Sequence, residues 1–186
     1  MRELRLPLVA AVFVGVVLLG LGARSVYYQE RVIAPLAAAA AEIPGVLALE
    51  VVTTGAGGKV VVARLGPDAP LESTYVALEE LAQAALGSAY GGLRIEDRRT
   101  PRLAEAYHRI HFGLQEAVMT GRFAAMAEEV EARLREFPDV DHRVYVGDRH
   151  LFVRLAQGEH YLYEVIARPR ALASSDLPGE RGSASW

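Results

Sequence analysis

The sequence contains no cysteine. This absence excludes a disulfide framework, a thiolate zinc site, a cysteine nucleophile and a lipid anchor on a lipobox cysteine. Basic residues are not clustered either: 20 Lys and Arg residues are interspersed with 23 acidic ones, and the only lysine is Lys59. Without a basic block or an Arg-rich stripe, nucleic acid is not an expected partner.

Recognisable catalytic and cofactor motifs are also missing. None of the few serines lies in the G-x-S-x-G pattern that places a nucleophile on a strand-to-helix turn. Gly55, Gly57 and Gly58 join two apolar stretches instead of opening a helix, so they predict a hairpin turn and not a phosphate-binding loop. We therefore expect a protein that is not an enzyme and carries no cofactor.

What the sequence does have is one long apolar run, from Leu6 to Ala23, without a charged side chain. As a helix it would cover about 27 Å, close to the hydrocarbon thickness of a bilayer. Tyr27 and Tyr28 follow at the position of an interfacial aromatic belt. We predict a transmembrane anchor over residues 6–24 that contacts the lipid bilayer through 6–23, with residues 1–5 cytoplasmic and the remaining chain outside the cytoplasm.

The alternative for this run is a signal peptide cleaved near Gly22, which would give a secreted protein. Gly20-Leu-Gly22 offers the small-x-small pattern that precedes such a cut. The apolar region is longer than the usual signal-peptide core of 7–15 residues, which favours a retained anchor.

Residues 27–98 predict a first α+β unit. The elements are helix 27–43, strands 46–53 and 59–65, helix 71–86 and strand 93–97. The alanine run 37–41 favours helix, and Ile43-Pro-Gly-Val46 ends it. Asp68 is the predicted cap of the second helix, which carries an apolar stripe at helical spacing.

Residues 100–168 predict a helical hairpin followed by a three-stranded antiparallel meander. Thr100-Pro101 opens a helix to about Met119, because threonine caps helices and proline suits their first position. A second helix spans 122–137, and strands follow at 143–146, 150–155 and 161–167. Residues 169–186 lack periodicity and are rich in Ser, Pro and Gly, which predicts a disordered tail.

Phe137-Pro-Asp-Val140 repeats the design of Ile43-Pro-Gly-Val46, since each joins a helix to a strand through an apolar residue, a proline and a turn residue. Either this is a coincidence of helix-to-hairpin joints or the chain holds two related modules. The two halves form separate sheets or contribute to one.

The α-β-β-α-β order and the Ile43-Pro-Gly-Val46 joint resemble the ring-building-motif modules of membrane-anchored secretion and sporulation channels. The resemblance covers residues 27–97 and implies a role in forming rings at a membrane. Ferredoxin-like metal chaperones use a similar joint, but the chain lacks their Cys pair. The second half departs from the ring-building order.

One candidate metal site is Glu105, His108 and His111. Their i,i+3 spacing brings neighbouring side chains within one helical turn, and Glu-x-x-His is a ligand pattern of carboxylate-bridged metal bundles. No second Glu-x-x-His is present, so boundary histidines on an amphipathic helix are the favoured interpretation. A second acidic group, Asp139, Asp141, His142 and Asp148, is interpreted as turn and capping residues.

The leading functional prediction is a single-pass, membrane-anchored α+β protein with a structural or assembly role, acting through a protein partner or self-association. Exposed sheet edges are the physical basis, because they can pair with other chains. The alternatives are a module that senses a ligand in a groove between the helical hairpin and the sheet, and a metal-binding protein that uses the Glu105 helix.

Overall fold

The computed structural model of this chain describes residues 29–55 and 57–169. The described chain is α+β, as predicted, and contains two separate three-stranded sheets. It divides into two compact units, with the boundary between Asp97 and Arg98. The predicted anchor over 6–23 lies outside the described residues, as does the predicted tail apart from Pro169.

The first unit begins with a π-helical turn, Gln29–Ile33, which leads into α1 (Ala34–Ala41). It continues with β1 (Val46–Thr53), β2 (Lys59–Leu65), α2 (Leu71–Leu86) and β3 (Tyr90–Glu96). The strand order is β1-β2-β3, with β1 antiparallel and β3 parallel to the central β2.

The core of this unit lies between β2 and the two helices. Val61, Ala63 and Leu65 alternate along β2 and are fully buried. Val61 packs with Leu36 of α1 and with Ala82 and Leu86 of α2. We call this side of each sheet, the side packed on the helices of its own unit, the helix face.

Gly45 fixes the joint between α1 and β1. Its φ of +85° lies in the left-handed region that favours glycine, and a Cβ there would lie 2.4 Å from the Cβ of Ala69. The Gly45 carbonyl accepts from the Gly66 amide at 2.8 Å, and the neighbouring Pro44 carbonyl accepts from Thr74 Oγ1 at 2.9 Å. The joint therefore holds the loop before α2 against the start of β1.

Three details of the first unit differ from the sequence predictions. Residues 29–33 are π-helical instead of α-helical, because the ring of Pro35 would clash with the carbonyl of Arg31 in a regular helix. Pro70 and not Asp68 occupies the N-cap of α2, without a side-chain cap. β3 begins at Tyr90 and not at Leu93, because Gly91 lies close to the backbone of Lys59. A Cβ on Gly91 would lie only 3.3 Å from the Lys59 carbonyl oxygen.

The second unit consists of α3 (Pro101–Thr120), α4 (Phe123–Leu134), β4 (Asp141–Val146), β5 (His150–Gln157) and β6 (His160–Ala167). The three strands form the predicted antiparallel meander in the order β4-β5-β6. Gly158 has a φ of +58° at the first central position of the two-residue β5–β6 turn, the position at which a type II′ turn requires glycine.

The predicted cap of α3 is confirmed, because Thr100 Oγ1 accepts from the Leu103 amide at 3.2 Å. The helix ends at Thr120 and is capped by Gly121, whose φ is +75°. Of the apolar stripe predicted for α3, Leu103, Ile110 and Leu114 are buried in the core with residues of β5 and β6. Tyr107 of the same stripe is only half-buried. The next helix ends at Leu134 and not at 137. Phe137 lies in the loop after this helix and is nevertheless buried. Its amide donates a hydrogen bond to the Leu134 carbonyl.

Candidate functional site

The structure does not assemble the candidate metal triad. Glu105 pairs with Arg109 at 3.9 Å, one turn along the same helix. The His111 ring stacks on His108, with 5.1 Å between centroids, and its Nδ1 lies 2.9 Å from the His108 carbonyl. One of the two imidazoles is thereby engaged with the helix backbone, and the carboxylate is directed to an arginine.

The second acidic group is likewise divided among separate partners. Asp141 accepts from Arg154 at 3.0 Å, and His142 Nε2 lies 3.3 Å from Glu131 of α4. Asp139 accepts from Arg102 at 3.1 Å. Within the part of the chain that the structure describes, no three His, Asp or Glu residues are grouped to hold a metal ion.

Asp139 belongs to a polar network at the start of α3. Thr100 Oγ1 donates to the side-chain oxygen of Gln157 at 3.3 Å, and Gln157 Nε2 donates to Asp139 at 2.6 Å. Arg102, also within 4.3 Å of the Phe137 ring centroid, bonds the other Asp139 oxygen. These bonds to Arg102, the carboxylate's own backbone and Gln157 hold the pKa of Asp139 below its usual value. Each side chain of the network has a hydrogen-bond partner. Through Thr100 and Gln157 the network connects the start of α3 to β5.

A cleft of about 250 Å³ opens between α3 and α4, beside Gly113. Its carboxylates are engaged: Glu129 pairs with Arg133 at 2.6 Å, as the i,i+4 spacing predicts, and Glu116 pairs with Arg122 at 3.5 Å. The cleft lies between the two helices and not, as the ligand-sensing alternative expects, between the helical hairpin and the sheet.

Exposed apolar side chains point to another kind of site. Six large hydrophobic residues among those described are 43–73% exposed. Two of them lie on α3, and the other four lie on β1 and β4: Leu47, Val52, Tyr145 and Val146. Among the described residues, both strands are the outer strand of a hairpin and form a free edge of their sheet.

The free edge of β1 can be assigned residue by residue. Thr54 and Gly58 form a hydrogen-bonded pair at the hairpin turn, with 2.8 Å between amide and carbonyl. Because such pairs alternate along an antiparallel ladder, Glu50 and Val52 also bond to β2. The backbone groups of Leu49, Val51 and Thr53 therefore face away from β2, and β1 pairs with no other described strand.

The same reasoning applies to β4. The Gly147 amide donates to the His150 carbonyl at 2.9 Å, so Tyr145 and Arg143 bond to β5. The backbone groups of His142, Val144 and Val146 face the free edge. In both strands the residues with outward backbone groups direct their side chains to the helix face, as the packing of Leu49, Val51 and Val144 shows.

The sequence predicted sheet edges but not which strands form them. One signal was present: Val61, Val62 and Ala63 form an uninterrupted apolar run, which is typical of a central strand buried on both sides. That run identifies β2 as central and leaves β1 as an edge.

None of the helices over 29–55 and 57–169 is long and apolar enough to span a membrane. Comparison with known proteins found no matching family model, no similar curated protein and no similar solved structure.

Proposed function

We propose that this chain is an assembly protein: a single-pass, membrane-anchored α+β protein, held outside the cytoplasm by residues 6–23, that associates with copies of itself or a partner protein through the edges of its sheets. The anchor follows from the uncharged apolar run Leu6–Ala23. A secreted form, cleaved near Gly22, would present the same edges.

The observation that carries the proposal is the coincidence of free strand edges with exposed apolar residues on β1 and β4. Proteins usually protect a free edge with prolines or inward-pointing charges, because its unpaired amides and carbonyls recruit other strands. β1 contains no proline and only one charged residue, Glu50. Apart from the bulge at Leu47, this edge is open to a partner strand.

The ring-building resemblance adds to the proposal. The elements of the first unit follow one another in the order α1-β1-β2-α2-β3, which that resemblance requires. What this resemblance implies is a ring of associated copies at the membrane surface.

Sedimentation of the full chain over a range of concentrations tests the assembly role. We expect concentration-dependent oligomers, and we expect the substitution Tyr145→Lys to raise their dissociation constant by at least about tenfold, because a lysine on an edge disfavours strand addition. Tyr145 is exposed, so this change should not affect folding.

Phe112→Lys is the matched control. Phe112 is also a large apolar residue and is 68% exposed, but it lies on α3 and belongs to neither edge strand. Association should persist in this variant. A chain that stays monomeric at every concentration and needs no partner would contradict the proposal.

A further inference from the structure

We propose that β1 of one copy pairs antiparallel with β4 of a second copy, with Glu50 opposite Arg143, so that copies join head to tail. This inference rests on the proposed assembly function and names both its partner, a second copy of this chain, and its register. Three properties of the two edges support it: their backbone groups, their faces and their charges.

The backbone groups of the two edges match in this register. Leu49 lies opposite Val144, and Val51 lies opposite His142. All four have amides and carbonyls directed away from their own sheet, so they form the hydrogen-bonded pairs of a new antiparallel ladder. Glu50–Arg143 and Ala48–Tyr145 then occupy the alternate positions, where side chains of paired strands are closest.

The faces of the two sheets match as well. Leu49 and Val51 pack on the helix face of the first unit, and Val144 packs on the helix face of the second. Their pairing therefore joins the two sheets into six strands with both helix faces on the same side. A shift of one residue would turn every side chain of one strand to the wrong face.

The charges favour this pairing over others. Arg143 lies directly opposite Arg154 of β5, and like charges in that arrangement repel. Asp141 pairs with Arg154, whereas Arg143 and Glu50 form no ion pair with any described residue. A Glu50 side chain beside Arg143 would offset the repulsion. In the register that centres a β1–β1 pair on Glu50, two carboxylates would face each other.

The contact is heterologous, since it uses different surfaces of the two copies. Each joined pair keeps one free β1 and one free β4, so addition continues until a ring closes or a filament forms. The bulge at Leu47 interrupts the regular ladder and limits the paired stretch of β1 to residues 48–53.

Cross-linking tests the register directly, because the chain has no cysteine of its own. Two full-length single variants, Ala48→Cys and Tyr145→Cys, carry different tags and are mixed before oxidation. Both positions are exposed, so circular dichroism and thermal unfolding should match the parent chain. We expect a disulfide-linked heterodimer, since paired residues at such positions lie within disulfide range.

The control mixes Ala48→Cys with Val144→Cys, which moves one thiol to the other face of the sheet. The first mixture should exceed the control by at least about tenfold in heterodimer yield. Equal yields, or disulfides only between two copies of the same variant, would overturn this inference. If sedimentation still shows oligomers, the assembly function survives that result; a strictly monomeric chain contradicts both.

Discussion

At the scale of single residues, Gly45 combines two constraints that can be separated by mutation. It has a positive φ, and a side chain there would collide with Ala69. Gly57 shares the positive φ, at +81°, but a Cβ there meets open space. We expect Gly57→Ala to cost about 1 kcal/mol of unfolding free energy from backbone strain, and Gly45→Ala to cost about 1–3 kcal/mol more from overpacking.

Chemical denaturation of the two variants measures this difference. Since both replace glycine with alanine at a left-handed position, Gly57→Ala controls for the change in the unfolded chain. Equal costs would show that the Ala69 contact does not constrain the joint.

Asp139 allows a second prediction at this scale. The hydrogen bond from Arg102 lowers the pKa of its carboxyl from 3.8. A group whose pKa is lower in the folded state stabilises the fold at a pH above its unfolded pKa, and this stabilisation is lost as the pH falls through the folded pKa. NMR titration should therefore find the pKa of Asp139 below 3.8, and Arg102→Gln should raise it toward that value.

Arg109→Gln is the control for that titration, because Arg109 lies on the same helix and pairs with Glu105 and Glu136. It should leave the titration of Asp139 unchanged. If the pKa of Asp139 is the same with and without Arg102, the hydrogen bond between them is not the cause of the lowered pKa.

At the scale of elements, Thr100 both caps α3 and contacts Gln157 of β5. Thr100→Ala should lower the free energy of unfolding by about 1 kcal/mol, the usual cost of a lost N-cap. Thr120→Ala, at the exposed end of the same helix, should cost less than about 0.5 kcal/mol. Thermal unfolding of both variants compares them, and equal losses would show that the cap contributes nothing specific.

Local chemistry explains which elements could be predicted from the sequence. The Thr100-Pro101 start, the apolar stripe of α2 and the alternating strands of the meander depend on neighbours along the chain, so their positions followed from spacing. One boundary that was wrong depends on a distant contact. β3 extends back to Tyr90 because Gly91 lies against Lys59, more than thirty residues away along the chain.

The candidate metal site also had one part that the sequence could predict and one part that it could not. Glu105, His108 and His111 were correctly placed on one helix, but spacing could not show that Arg109 draws the Glu105 carboxylate away or that the imidazoles stack on each other. The identity of the edge strands depends on sheet order, which is a property of the whole unit. Sequence alone predicted that edges exist and left β1 and β4 unassigned.

At the scale of the whole molecule, the proposed anchor over residues 6–23 would place the proposed assembly at the outer surface of the membrane. A reporter that is active only outside the cytoplasm, fused after Arg168, should give an exported signal, because a short N-terminus before a single apolar span normally stays inside. A cytoplasmic signal from this fusion would overturn both the topology and the surface at which we place the assembly.

If β1 of one copy pairs with β4 of another through Glu50 and Arg143, exchanging the two charges should first weaken and then restore the association of the copies. Sedimentation equilibrium of the full chain gives the dissociation constant for the parent, for Glu50→Arg and for Glu50→Arg combined with Arg143→Glu. Replacing an attractive pair by two arginines should weaken association about tenfold, and the double variant should restore it to within about threefold of the parent. Three equal dissociation constants, or a double variant as weak as Glu50→Arg alone, would contradict the pairing of β1 with β4.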